Sequence, residues 1–321
     1  MDLATQAGSI FIESTQGTTM PQPLIAINFC QEHLDATDAV MTPAGIAARA
    51  RAAADAQGHT EDPIGRIYLG SYYCEHLFLA LSNARMNAFE AFCETQNVPA
   101  SVVIPLTGEN SVDRVLALAL QFVERYRFID EVVVNDLGML AAFAAANLPV
   151  SIQLGRLWHK EIRDPRYETL MDKPRAIAAP DAGPYAQAIA GFEIDPVAYE
   201  LDLAAVPAEA TCALHLPYCH LSTGRICTAQ ARGRAPEHKF LPGEPCHFEC
   251  LESFTWYTVD RFADPIDSPD ESYEALGQTN ILRKGRAVQF DNAACRTVNG
   301  APTRVVIAPR YDLPESEAYY G

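Results

Sequence analysis

The sequence predicts an α/β fold in which a parallel β-sheet closes into a (β/α) barrel of the TIM type, regular or distorted. Short apolar runs recur along the first 154 residues, and amphipathic segments separate them. Short strands without polar alternation are typical of a parallel sheet covered by helices. More than four such units in succession favour a closed barrel over an open sheet. We therefore expect one barrel-like domain over residues 1–321.

The elements of the first half are predicted from apolar runs, caps and helix breakers. After an irregular segment at 1–22, a buried strand is expected at 23–29. Thr42 is a suitable N-cap and Pro43 a suitable first helical residue, so an Ala-rich helix should run to residues 57–58. Further strands are predicted at 66–69, 101–106, 131–134 and 149–154, and further helices at 84–94, 111–125 and 138–146.

The alternation is interrupted in the second half. Residues 155–187 contain prolines and charges and are predicted to form a loop excursion, and 262–276 to form an acidic loop. Strands are expected at 190–194 and 211–216, and two strands, 286–290 and 304–308, should close the chain. In a barrel of this type, functional residues follow the carboxyl ends of the strands. Those positions hold Cys74, Asn135, Asp136, Arg156 and His159.

Composition limits the classes of function. The content of 49% hydrophobic and 20% charged residues is that of a globular protein. The formal charge of −17 disfavours a nucleic acid or an anionic membrane as partner, because both attract clustered Lys and Arg. The sequence has no export signal and no apolar run long enough to span a membrane. Nine cysteines in such a chain indicate thiols or metal ligands in the cytoplasm.

Four of the cysteines form the most informative pattern. Eighteen residues separate Cys227 from Cys246 and three separate Cys246 from Cys250, while Cys74 follows a predicted strand far upstream. Thiolates suit iron–sulfur clusters and zinc, so a metal could join two distant parts of the chain. From the residues alone, a cluster, a zinc ion and ordinary buried thiols all stay open. The cysteines in strand or helix patterns are expected in the core: Cys30, Cys93, Cys212 and Cys295.

Several segments resemble the collagenase-like peptidase family (U thirty-two), and most closely its UbiU/UbiV branch of iron–sulfur proteins. They are Leu69–Cys74, with a cysteine four residues after a glycine, Val134–Gly138, and the cysteine segment 215–250 with its His215–Cys227 and Pro245–Cys250 elements. Residues 280–282 and 304–309 are similar to the closing strands of that family. The likeness extends from about residue 23 onward and is closest to UbiV-like chains. Ile226 and Cys219 depart from their pattern, since Cys219 matches a ligand position of UbiU-like chains.

The resemblance implies a TIM-like barrel with a [4Fe–4S] cluster at the strand ends. The ligands would be Cys74, Cys227, Cys246 and Cys250, with Cys219 in place of Cys74 as the alternative set and zinc as the alternative metal. It further implies oxygen-independent hydroxylation, or a related redox reaction, on a small organic molecule, with a UbiU-like partner in a heterodimer. A non-catalytic metal-binding subunit is the alternative. Peptidase activity is disfavoured, because the sequence has no Gly-x-Ser-x-Gly and no His-Glu-x-x-His.

Candidate catalytic residues are His215, Arg225 and Asp136. His215 stands beside the cysteine segment, as do His220 and His247, although a histidine next to a strand is more often structural. Asp136 suits proton transfer or the cap of the following helix equally well. Arg156 and Arg225 are the basic groups expected near the barrel mouth, so a carboxylate-bearing ligand is the natural expectation.

Overall fold

A computed structural model describes residues 22–30, 33, 41–159, 163–166, 174–239, 246–262, 276–292 and 295–311. All but the end residues of the segments predicted at 1–22 and 262–276 lie outside these ranges. In chain order, the strands are β1 Leu24–Asn28, β2 Ile64–Gly70, β3 Ala100–Ile104, β4 Ile129–Val134, β5 Ser151–Leu154, β6 Arg175–Ala176, β7 Ile189–Ile194, β8 Leu201–Asp202, β9 Thr211–Leu216, β10 Tyr218–Thr223, β11 Thr255–Arg261, β12 Gly277–Lys284, β13 Ala287–Asp291, β14 Thr297–Val298 and β15 Arg304–Ile307.

Eight of these strands form a closed parallel barrel in the order β1-β15-β9-β7-β5-β4-β3-β2. The predicted barrel is confirmed to this extent. The last strand pairs with β1 and with β9 in parallel, so the final barrel strand joins the start of the chain to its third quarter. The short strands β14, β8 and β6 form a separate three-stranded sheet.

Helices cover the first half of the barrel and begin and end where the sequence provides caps. The helices are α1 Pro43–Asp55, α2 Glu75–Leu79, α3 Asn83–Gln96, α4 Val112–Arg125, α5 Leu137–Ala146, α6 Thr228–Ala231 and α7 Glu249–Glu252. Thr42 accepts a hydrogen bond from the Gly45 N–H at 3.1 Å, as expected of an N-cap. After β5, short 3-10 turns at Arg156–Trp158 and Gly183–Ala188 take the place of long helices.

The second half therefore differs from the prediction in two respects. Where it is described, the stretch at 155–187 contains β6 and the two 3-10 turns and is not a plain loop. The predicted strand at 286–290 is present as β13, but it lies outside the barrel, in an antiparallel sheet of order β10-β13-β12-β11. Partial exposure explains why β11 escaped prediction, since Thr255–Arg261 mixes polar and apolar residues with no buried face.

The barrel interior is polar at its amino-terminal end. Arg304 donates to Glu131 at 2.7 and 3.1 Å and to the Tyr68 hydroxyl at 2.6 Å. Burial opposes ionisation of Glu131, but hydrogen bonds and charge from Arg304 lower its pKa. The polar groups at this end of the barrel are therefore paired with one another. We look for a functional site at the opposite end, where the strands have their carboxyl ends. None of the helices in the described part of the chain is both long and apolar enough to cross a membrane.

Candidate metal centre

The four cysteines singled out by spacing line one narrow cavity. Cys74, Cys227, Cys246 and Cys250 face it from three separate parts of the chain. The remaining lining residues are Tyr73, His76, Leu77, Gln230, Lys284, Gly285 and Arg286. Cys74 and Cys250 are buried, and the other two thiols are half-buried. The cavity lies beyond the carboxyl end of β2, which is the end where the sequence predicted chemistry.

A tight turn after β2 positions Cys74. Gly70 has a φ of +119°, and a Cβ there would lie 2.2 Å from the Val103 carbonyl oxygen, so only glycine fits. The buried Ser71 hydroxyl then accepts the N–H groups of Tyr73 at 3.3 Å and Cys74 at 3.1 Å. These bonds fix the backbone that carries the thiol into the cavity.

The β12–β13 hairpin turn positions the other cysteines. Gly285 occupies its first loop position with a φ of +59°, the sign that a two-residue II′ turn requires there. Its carbonyl accepts both the N–H and the hydroxyl of Thr228 at 3.1 Å, which anchors the residue after Cys227. A Cβ on Gly285 would lie 3.3 Å from the Cβ of Cys250, so the hairpin turn also packs against Cys250.

The four thiols have unequal acidities. A hydrogen bond from the Cys250 thiol, helped by the N–H groups of Gln230 and Ala229, lowers the pKa of Cys227 to about 6. The same pairing raises the pKa of Cys250. Burial raises the pKa of Cys74 to about 12 and also raises that of Cys246. Thus one thiol of the set is acidic without any metal, and the others require a cation for ionisation.

Arg286 is a cation beside these thiols that the sequence analysis missed. Its guanidinium forms an ion pair with the buried carboxylate of Glu75, the residue after Cys74. Burial alone would lower the pKa of Arg286, but Cys74 and Glu75 raise it. The available signal was the glycine in Lys284-Gly285-Arg286 between two apolar runs, which is typical of a hairpin turn.

The donor set is made of sulfur alone, which fits an iron–sulfur cluster or a zinc ion. In the described part of the chain, no group of three or more His, Cys, Asp or Glu side chains is arranged to hold a metal ion, and this finding includes the four cysteines. Cys219 is not part of the cavity lining; it is fully buried in β10. The four cysteines expected in the core, Cys30, Cys93, Cys212 and Cys295, are all buried.

The candidate catalytic residues lie elsewhere. His215 is enclosed in the barrel, where Nε2 lies 3.3 Å from Oε2 of Glu193 and 3.4 Å from the Tyr72 hydroxyl. Burial lowers the pKa of His215 despite the Glu193 charge. Asp136 caps α5 by accepting the Met139 N–H at 2.8 Å. Arg225 is exposed and does not line the thiol cavity.

The other predicted mouth residues are held by structural contacts. Arg156 is buried and paired with Asp195, and it also donates to the Tyr218 carbonyl. Asn135 donates to the Ile104 carbonyl at 2.8 Å, and His159 is buried at the start of the 155–187 segment. His247, next to Cys246, is exposed.

A second, larger cavity of about 650 Å³ opens between residues 157, 159 and 163–166 and the antiparallel sheet. The His220 ring lines it and stacks on the Tyr73 ring, which lines the thiol cavity. One pair of stacked rings therefore lies between the two cavities.

Comparison of the chain with protein-family models, with curated proteins and with solved structures gives no match.

Proposed function

We propose that this chain is an iron–sulfur protein of the UbiU/UbiV type and takes part in an oxygen-independent hydroxylation, or a related redox reaction, on a small organic molecule. The observation that carries the proposal is the meeting of Cys74 with Cys227, Cys246 and Cys250 in one cavity. Most cytosolic thiols are buried singly, as Cys93 and Cys212 are in this chain. Four thiols that line one cavity are most simply explained as ligands of a common metal group.

An iron–sulfur cluster is favoured over zinc. What favours the cluster is the resemblance of Leu69–Cys74 and of the cysteine segment 215–250 to iron–sulfur proteins. A [4Fe–4S] cluster is larger than an ion and is held by four separated cysteines.

One-electron transfer is the chemistry that a [4Fe–4S] cluster would supply when bound. The surrounding residues are suited to hold it. Leu77, Ala229 and Phe248 pack beside the thiols and exclude water from them. Arg286 sets a positive charge against the negative charge of ligating thiolates, and Glu75 holds the guanidinium in place. The strand-end location is where barrels of this type carry activity.

The proposal includes a cytoplasmic location and a UbiU-like protein as partner. The nine cysteines are free thiols, which fits a reducing compartment. The net charge of −17 speaks against a nucleic acid as substrate. Zinc bound in a non-catalytic subunit is the alternative, and metal analysis separates the two.

The test is anaerobic purification followed by measurement of iron, acid-labile sulfide and zinc. We expect about four irons and four sulfides per chain, and loss of both in Cys74→Ala, Cys227→Ala, Cys246→Ala and Cys250→Ala. Cys93→Ala is the matched control, because this buried thiol lies in α3, away from the cavity. Cys219→Ala should also keep the metal. Stoichiometric zinc without sulfide would contradict the proposal. Cluster loss in Cys219→Ala with retention in Cys74→Ala would show that Cys219 is the ligand in place of Cys74.

A further inference from the structure

The second cavity has the size and lining of a small-molecule site. Its volume of about 650 Å³ lies in the range of ligand pockets. An apolar wall is formed by residues of the 3-10 turn and of four antiparallel strands: Leu157, Leu221, Tyr257, Ile281 and Val288. Leu221 reaches this wall from a β-bulge, since the pairing of β10 with β13 shifts register between His220 and Ser222.

The cavity is basic although the chain is acidic. Three arginines line it, Arg163, Arg166 and Arg283, with Asp164 as the acidic residue among its lining residues, in a chain of formal charge −17. The Asp164 carboxylate forms an ion pair with the Arg166 guanidinium at 2.6 Å. The Arg283 side chain is exposed, lies over the Tyr257 ring, and forms no hydrogen bond or ion pair with the described residues. Its guanidinium is therefore available to a ligand.

Arg163 adds to this field. Asp195 is shared by two guanidiniums, that of Arg156 and that of Arg163, whose NH2 lies 3.2 Å from Oδ2. Because Arg163 shares this carboxylate with Arg156 and also lines the cavity, an anion bound there would be attracted by the Arg163 guanidinium.

The inner end of the cavity approaches the thiols. His220 accepts from Arg163 through Nδ1 at 2.9 Å and bonds Thr223 through Nε2 at 2.6 Å, so its ring is fixed. The Tyr73 ring stacks on it with centroids 4.9 Å apart. A molecule in the cavity would therefore be separated from the thiol cavity by one stacked pair of rings.

We propose that this cavity is the substrate site and that it takes a small organic monocarboxylate with an apolar body. The carboxylate pairs with Arg283, within the field of Arg163, and the apolar body lies along the wall of Leu221 and Ile281. The Arg283 guanidinium is a single planar fork that pairs with one carboxylate, which matches a monoanion. The role as substrate site rests on the function proposed above, whereas the binding itself does not.

The test is calorimetric titration of the anaerobically purified full chain with hexanoate, hexanol, hexylamine and hexyl phosphate. We expect saturable one-to-one binding of hexanoate, at least tenfold weaker binding of hexanol, and no binding of hexylamine. Each methylene removed from hexanoate should weaken binding about fourfold, the effect of one buried methylene. Tighter binding of hexyl phosphate than of hexanoate would overturn the monocarboxylate assignment. Equal affinity for hexanoate and the shorter carboxylates would show that the apolar wall does not contact the ligand.

Variants locate the site. Arg283→Gln should weaken hexanoate binding at least tenfold and Arg283→Lys less, whereas Arg127→Gln, an exposed arginine before β4, should leave it unchanged. Equal affinity in Arg283→Gln and wild type would overturn the site. Iron and sulfide are measured on the same samples. Absent binding with four irons present would refute only this site, and binding that depends on Arg283 without iron would refute only the proposed function.

Discussion

The Tyr73 ring lies parallel to the His220 ring, with centroids 4.9 Å apart and an interplanar angle of 10°. Tyr73 precedes the thiol-bearing Cys74, and His220 faces the larger cavity. The pair is therefore a partition between a site suited to a metal and a site suited to a ligand. Because it is only two rings thick, its removal should expose the thiol site to solvent.

The first prediction concerns this partition. Tyr73→Leu should lose a bound cluster several-fold faster in air-saturated buffer than wild type, because water and oxygen reach the thiols through the open partition. Decay of visible absorbance gives the rate. Tyr73→Phe is the control, since it keeps the ring and the stack and should decay like wild type. Equal rates for Tyr73→Leu and wild type would show that the rings do not protect the site.

The second prediction concerns metal removal. A metal held by Cys74 together with Cys227 and Cys250 would cross-link parts of the chain some 150 residues apart. Closing so long a loop costs entropy, and ligation offsets that cost only while the metal is bound. The chelated, reduced protein should therefore melt several degrees lower than the metal-bound protein, in one transition that includes the barrel.

Circular dichroism and calorimetry on matched samples test this effect. Cys93→Ala, which removes a buried thiol outside the cavity, should keep the difference between metal-bound and metal-free forms. An unchanged melting temperature after chelation would show that metal binding by these cysteines does not stabilise the fold.

The sequence predicted the barrel half of this fold well, because each βα unit is local. The apolar run of β2 and the caps Thr42 and Asp136 are visible within a few residues of the elements that they begin or end. The antiparallel sheet was mostly missed. Strands such as β11 are half exposed and pair across a connection of more than ten residues, so neither periodicity nor turn chemistry marks them.

The candidate site divides in the same way. The four cysteines were found by residue type and spacing, and the fold brings them to one cavity. Arg286 and the stacked Tyr73 and His220 rings were not found, because their roles depend on a hairpin and a barrel strand meeting in space. Arg156 was expected at an open mouth, but Asp195 from the end of β7 neutralises it. No sequence pattern near Arg156 indicates that Asp195 is its partner.

The third prediction uses the Arg286–Glu75 ion pair. A positive charge next to a cluster stabilises its reduced form, and removing it leaves the Glu75 carboxylate unbalanced. Arg286→Gln should therefore lower the reduction potential by on the order of 60 mV, which is a tenfold change in a one-electron equilibrium. Arg286→Lys should lie between this variant and wild type.

The opposite variant makes the test sharper. Glu75→Gln removes the negative charge and keeps the cation, so it should raise the potential, and the double variant should lie near wild type. Anaerobic redox titration followed by electron paramagnetic resonance measures all four. Shifts of the same sign in Arg286→Gln and Glu75→Gln would indicate a packing effect and not an electrostatic one.

The last prediction is a pH dependence of stability. Burial, with the nearby charges of Arg163 and Arg156, lowers the pKa of His220 to about 3, and burial also lowers the pKa values of His33 and His215. Unfolding exposes these rings and returns their pKa to about 6.5, so the unfolded state binds more protons between pH 6.5 and pH 3. Stability should therefore fall as the pH falls through this window, and His220 should account for about 2 kcal/mol of the loss between pH 7 and pH 5.

Urea unfolding at pH 7 and pH 5, with metal content checked at both, measures this loss. His220→Gln has no ring to protonate and should lose about 2 kcal/mol less than wild type over the same interval. His238→Gln, at an exposed position, is the control and should follow wild type. Below pH 4 all three proteins should weaken further, because Asp195 is held ionised by Arg156 and Arg163 in the fold and its protonation breaks those pairs. A decline of the same size in His220→Gln and wild type between pH 7 and pH 5 would show that the buried His220 ring does not set the acid sensitivity of this fold.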